Sequence, residues 1–269
     1  MMDWLQSELT TMAFCWRLAR RDGVTLGLTS HDRPLLIDGL VYDAAPGMVP
    51  SALERSTSFE SGVVDLAGAL SSSALSSADI QAGRWDGAKL ILFAADWNNP
   101  DAETLPLMHG SLGAIRMRDD RFEVELLGPG SELDAPIIET ASPDCRATLG
   151  DKRCGVAMSG RRRMATVVSS IDNQITMAAS IPGTDFTFGQ LRWTHGANAG
   201  LGATVLGASG DQLTLSEAPH FPPSTGDRAE ITEGCDRRFV TCHTRFANAA
   251  NFRGEPHLPG NDLLTRYAS

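Results

Sequence analysis

Four of the five cysteines stand as two local pairs, and this limits what the chain can fold into more than any other feature. Cys145 and Cys154 are separated by eight residues in PDCRATLGDKRCG, and Cys235 and Cys242 by six in GCDRRFVTCHTRF. Two such pairs can ligate one tetrahedral metal ion or an iron–sulfur cluster, or close two disulfides. A structural zinc knuckle usually holds its cysteines roughly two to four residues apart, tighter than either pair here. An iron–sulfur cluster is a wider object, reached by loops from several sides, and Pro143, Gly150, Gly155 and Gly234 punctuate the chain around both pairs. Spacing therefore ranks a cluster first, zinc second and disulfides third.

GCDRRFVTCHTRFANAANFRGEPHLPGND, with SPDCRATLGDKRCGV upstream, resembles the C-terminal signature of a phage tail-tip family. This is the family of phage-like conserved proteins of alphaproteobacterial prophages and gene transfer agents, in which the protein is the baseplate hub. The pair spacings are also similar to those of the lambda-like tail-tip protein L family, whose C-terminal region carries an iron–sulfur cluster. The resemblance implies that Cys145, Cys154, Cys235 and Cys242 hold a cluster, expected to be [4Fe-4S], with zinc as the alternative. Roughly 80 residues separate the pairs, more than the lambda-like pattern leads one to expect. The resemblance further implies a non-enzymatic homotrimeric ring around the DNA conduit. That ring would link the distal tail protein to a larger tip or fibre protein during DNA ejection, with the tape-measure protein as a further contact. DNA would pass without specific binding. The expected location is the virion tail tip, after synthesis and assembly in the bacterial cytoplasm.

Composition agrees with part of this. The net charge is −10, from 23 basic and 33 acidic residues, the reverse of a protein that grips nucleic-acid phosphates. An acidic wall lets a polyanion slide, although moderate acidity also serves solubility alone. No apolar run approaches the ~18 residues of a membrane span. MMDWLQSELTTMAF lacks a basic region, so no signal peptide is expected, and thiols made in the cytoplasm stay reduced, which argues against disulfides. Cys15, between Phe14 and Trp16, reads as a small buried hydrophobe.

The rest of the chain has the period of strands. Hairpins are expected around Asp22-Gly23, Asp38-Gly39, Asp119-Asp120 and Asp172-Asn173. AKLILFAADW is apolar on both faces and should be a central strand. Residues 1–11 suggest a short amphipathic helix, and Ser77 a cap for a brief helix over residues 78–81. Pro46 to Ser61 reads as a connection, and Gly200, Gly202, Gly207 and Gly210 as turn positions. The fold class is mainly β: two consecutive barrel- or sandwich-like domains with few short helices. The first spans residues 1–140 and the second 141–269, with a small β unit at about 160–232 between the cysteine pairs. Phe246 and Phe252 are expected to pack beside the cluster.

Other constellations are weaker. No phosphate loop, HExxH or GxSxG occurs, and GANAGLGA lies among hairpins without a following helix. The enzymatic alternative is a tail-associated cysteine peptidase using Cys242 with His257 or His195. His243 follows Cys242 and is kept outside the ligand set. Arg161, Arg162 and Arg163 form the one basic run, read as a solvated strand start before phosphate or an acidic partner is invoked.

Overall fold

Turn chemistry and period-two burial together set the strand order. The computed structural model describes residues 3–6, 10–45, 49–50, 63–69, 76–118, 121–128, 138–178 and 183–258. The chain divides into two compact units, Met1–Pro136 and Ile137–Ser269.

The first unit is one nine-stranded sheet. Its strands are β1 (Met12–Ala19), β2 (Thr25–Thr29), β3 (Leu35–Ile37), β4 (Leu40–Ala44), β5 (Val49–Pro50), β6 (Val63–Ala69), β7 (Lys89–Asp96), β8 (Leu105–Arg118) and β9 (Arg121–Leu127). They lie in the order β3-β4-β2-β1-β7-β8-β9-β6-β5. Asp38 and Gly39, both at positive φ (49° and 75°), make the tight β3–β4 turn. The Asp22-Gly23 turn joins β1 to β2 as expected, whereas Asp119-Asp120 lies outside the described residues. The stretch read as a helix over residues 1–11 is, where described, only a 3-10 turn at Asp3–Leu5. Strand β7 is fifth of nine and buried on both faces. Leu90 and Leu92 pack with Trp16, Leu18, Leu28 and Trp85 on one side, and Phe93 and Ala95 with Cys15, Ile37 and Tyr42 on the other. Cys15 is fully buried, its Sγ 3.5 Å from Thr29 Oγ1. Helix α1 (Ser77–Gln81) begins one residue earlier than expected, because Ser76, and not Ser77, accepts the Asp79 N–H.

The second unit holds a closed six-stranded barrel: β10 (Arg162–Ile171), β11 (Gln174–Met177), β12 (Gln190–Trp193), β13 (Gly202–Ser209), β14 (Gln212–Leu215) and β15 (Arg228–Thr232), in the order β10-β11-β14-β13-β12-β15. Its core is strictly alternating: Ala165 and Val167, Ile175 and Met177, Leu191 and Trp193, Leu213 and Leu215, Ala229 and Ile231 all point inward. Closure removes sheet edges. Asp172 turns β10 into β11 at φ 51°. Of the four glycines read as turns, Gly200 and Gly210 have positive φ. Gly202 instead opens β13, and Gly207 sits where β13 slips register against β14.

One pairing places everything that follows. Strands β10 and β15 are antiparallel neighbours, with Arg162 opposite Thr232, and the Glu233 N–H donates to the Arg161 carbonyl at 3.0 Å. The chain before the barrel and the chain after it therefore leave at the same barrel end.

Candidate metal centre

Both cysteine pairs lie on those two chain segments. Cys145 and Cys154 precede β10 in a loop without regular structure. Cys235 follows β15, and Cys242 sits on the short helix α2 (Phe239–Thr244). All four thiols are free.

Asp151 shapes the first loop. Its carboxylate accepts the N–H groups of Thr148 (2.9 Å), Arg153 (2.9 Å) and Cys154 (2.6 Å). The bonds from Cys154 and Thr148 hold its carboxyl below the usual range. Asp236 does the same for the second loop, accepting the Arg238 N–H at 3.0 Å and the Thr241 hydroxyl at 2.8 Å at the start of α2. Just before it, Gly234 passes so close to another segment that a Cβ would lie 2.1 Å from the Thr187 carbonyl oxygen. Only glycine fits there.

Backbone bonds then draw the loops together. The Cys145 N–H donates to the Arg237 carbonyl (2.8 Å), and the Arg146 N–H to the Arg253 carbonyl (3.0 Å). Two N–H groups are aimed at sulfur: Arg253 at Cys145 Sγ and Arg237 at Cys235 Sγ, each at 3.4 Å. Asn248 joins the remaining two. Its Nδ2 donates to the Cys154 carbonyl at 2.6 Å and lies 3.8 Å from Cys154 Sγ, while its carbonyl accepts from Cys242 Sγ at 3.3 Å. Burial, helped by the neighbouring thiols, pushes the Cys242 thiol up. The Cys235 thiol is raised by burial first, with Asp236, Cys145 and Cys154 adding to it. Cys145 and Cys154 thus lie within electrostatic reach of both Cys235 and Cys242. Among the described residues, no group of three or more His, Cys, Asp or Glu side chains is set to hold a single metal ion.

A salt-bridge clasp closes over this region. Arg146 meets Glu255 through two bonds, 2.7 and 3.0 Å, and the Ser142 N–H donates to the same carboxylate at 2.9 Å. These hold the Glu255 carboxyl at about 2. Glu139 pairs with both Arg146 and Arg153. Phe252 packs edge-to-face on Phe239, with ring centroids 5.1 Å apart. The guanidinium groups of Arg161 and Arg245 both lie over the Phe246 ring. Arg245 also reaches the Gly234 and Asp185 carbonyls and Glu233, fastening α2 to the barrel end.

The remaining candidates part company. His195 lies beside Asp227 (3.4 Å) in a barrel loop, and His257 is exposed. His243 is exposed, 6.3 Å from the Phe239 ring. Arg161 pairs with Glu233, Arg162 with Glu230, and Arg163 is exposed. Asp151, Asn248 and Glu255 escaped sequence reasoning. Only Asp151 left a local signal, a short acceptor three residues before Cys154.

Residues 1–157 match the family model described as baseplate hub protein, N-terminal attachment domain. Residues 184–262 match the one described as phage conserved hypothetical protein BR0599. Among solved structures, a chain from the virion of a native gene transfer agent (GTA) particle is 35% identical, with a TM-score of 0.85, over 99% of this chain and 94% of that one. No curated protein sequence matches.

Proposed function

Because the chain belongs to the baseplate hub protein family, whose N-terminal attachment domain matches residues 1–157, we propose that it is the structural hub of a gene-transfer-agent-like particle. Its tail or baseplate role and its place at the virion tail tip follow from that family. The observation that carries the reading is the likeness, over 99% of the chain, to a component of a gene transfer agent virion.

In the proposed assembly three copies ring the DNA conduit, between the distal tail protein and a tip or fibre protein, with the tape-measure protein within reach. A net charge of −10 suits a wall past which DNA slides without being held. The work is mechanical and not catalytic. A nucleophilic cysteine needs a depressed pKa and a nearby base. Cys242 has instead a raised pKa and a backbone carbonyl against its Sγ.

The donor set fits a thiolate-bound iron–sulfur cluster. Cys145, Cys154, Cys235 and Cys242 are free and lie on the two segments at one barrel end, and backbone N–H groups are directed at the sulfurs of Cys145 and Cys235, the kind of contact that tunes such ligands. A cluster, wider than one ion, does not require the thiols to meet at a common point. When bound it supplies iron–thiolate bonds that cross-link the segments flanking the barrel, worth on the order of 10 kcal/mol by analogy with structural zinc.

The hub reading is tested by tagging the chain in producing cells and purifying particles on a gradient. The tagged chain should sediment with intact tails, and its deletion should leave particles that deliver no DNA. A chain found only in the soluble fraction, with delivery intact in the deletion strain, would sink the reading.

A further inference from the structure

The first unit contains a basic cleft that none of the foregoing uses, and we propose that it seats a carboxylate-rich segment of a neighbouring tail protein. This deepens the hub reading and rests on it. The cleft, about 690 Å³, is lined by Arg20, Arg21, Lys89, His109, Ser111 and Leu127, among others, a size ordinary for a ligand pocket.

Strand register builds it. Ala19 lies opposite Lys89, Lys89 opposite Ser111, and Ser111 opposite Leu127, so one row crosses β1, β7, β8 and β9. Lys89 shares the face of Ile91, two residues on, and His109 is the partner of Ile91. Both cationic or protonatable side chains thus project from the same side.

Arg20 is already engaged, paired with Asp22 and 5.5 Å over the Trp85 ring. Arg21 is held differently. Its guanidinium lies against the backbone of Gly87, at φ 62°, where a Cβ would stand 2.4 Å from Nη2. Glycine there lets the guanidinium settle at the cleft wall. Among the described residues no carboxylate pairs with Arg21, Lys89 or His109, whereas Arg20, Arg84, Arg146, Arg153, Arg161, Arg162 and Arg245 all have acidic partners. In a chain with 33 acidic against 23 basic residues, such a group of unneutralised donors in one concavity is an excess the fold does not use.

The chemistry selects the ligand. A guanidinium offers a fork to a carboxylate and Lys a point charge, and Ala19 and Leu127 add apolar lining that can take methylene stems. A nucleic-acid backbone would call for an extended basic stripe, not a pocket on an acidic chain.

The test uses the full-length protein with a fluorescent glutamate-rich peptide and, separately, a single-stranded oligonucleotide of equal charge, read by anisotropy at low salt. The peptide should bind more tightly than the oligonucleotide. Arg21→Glu combined with Lys89→Glu should weaken the peptide by about tenfold or more, and Arg163→Glu on the barrel should leave it unchanged. Absence of peptide binding, or binding indifferent to the double reversal, overturns the proposal. So does tighter oligonucleotide binding through the same residues. Arg21 and Lys89 are exposed, and an unchanged circular dichroism melt separates lost binding from lost fold. Incorporation into particles is scored alongside. A wild-type chain missing from particles sinks the hub reading, while normal incorporation with charge-indifferent peptide binding sinks the cleft alone.

Discussion

Asn248 is the residue on which the cysteine site turns. It contacts Cys154 through its side chain and Cys242 through its carbonyl, two residues from the segments that precede and follow the barrel in sequence. Asn248→Ala leaves the Cys154 carbonyl short of a donor and should cost about 1–3 kcal/mol, read as a lower melting temperature and, in the proposed cluster-bound form, as faster cluster loss. Glu255 gives a pH signature. Its folded pKa, about 2, lies below the usual 4.5, so its contribution is complete above pH 4.5 and is lost as pH falls toward 2. Glu255→Gln should lower stability at neutral pH, with the difference from wild type shrinking as pH falls through that window, so that the acid limb of a stability-against-pH curve flattens; an unchanged curve would show that the clasp with Arg146 does not operate in solution. The cysteines themselves were legible in the sequence because spacing and residue type suffice to single them out. Asn248 and Glu255 were not, since their partners lie 94 and 109 residues away and no local pattern encodes such a distance.

At the scale of elements, turns and alternation carried most of the information. Asp-Gly and Asp-Asn pairs mark hairpins because they tolerate positive φ, and the inward residues of the barrel strands repeat with period two. What eluded this logic was positional detail. Ser76 and Ser77 are chemically identical caps, and only the path of the chain decides between them. Gly207 looks like a turn and is a register slip within a strand. A close backbone approach in the second unit is equally invisible in sequence: Gly234 against Thr187 and Gly189. Gly234→Ala places a methyl group against backbone on several sides and should destabilise by roughly 1–3 kcal/mol or more, seen as a lowered denaturation midpoint at constant slope. A neutral result would mean that the chain leaving β15 can shift freely.

At the scale of the whole molecule, each unit pairs a self-sufficient β core with one chemically distinct feature: a basic cleft in the first, four free thiols on the segments flanking the barrel in the second. In the proposed cluster-bound form, cross-links at the barrel end would add stability without a large added core. The measurement that bears most directly on the central claim, that four thiolates bind an iron–sulfur cluster cross-linking the segments that flank the barrel, is iron, sulfide and zinc content of protein purified without oxygen, beside a Cys145→Ser, Cys235→Ser variant. The account predicts stoichiometric iron and sulfide in the wild type, their loss in the variant, and a second unit that melts at lower temperature. Protein with neither iron nor sulfide, whose four thiols react freely and whose melting is unchanged by the two substitutions, would contradict it.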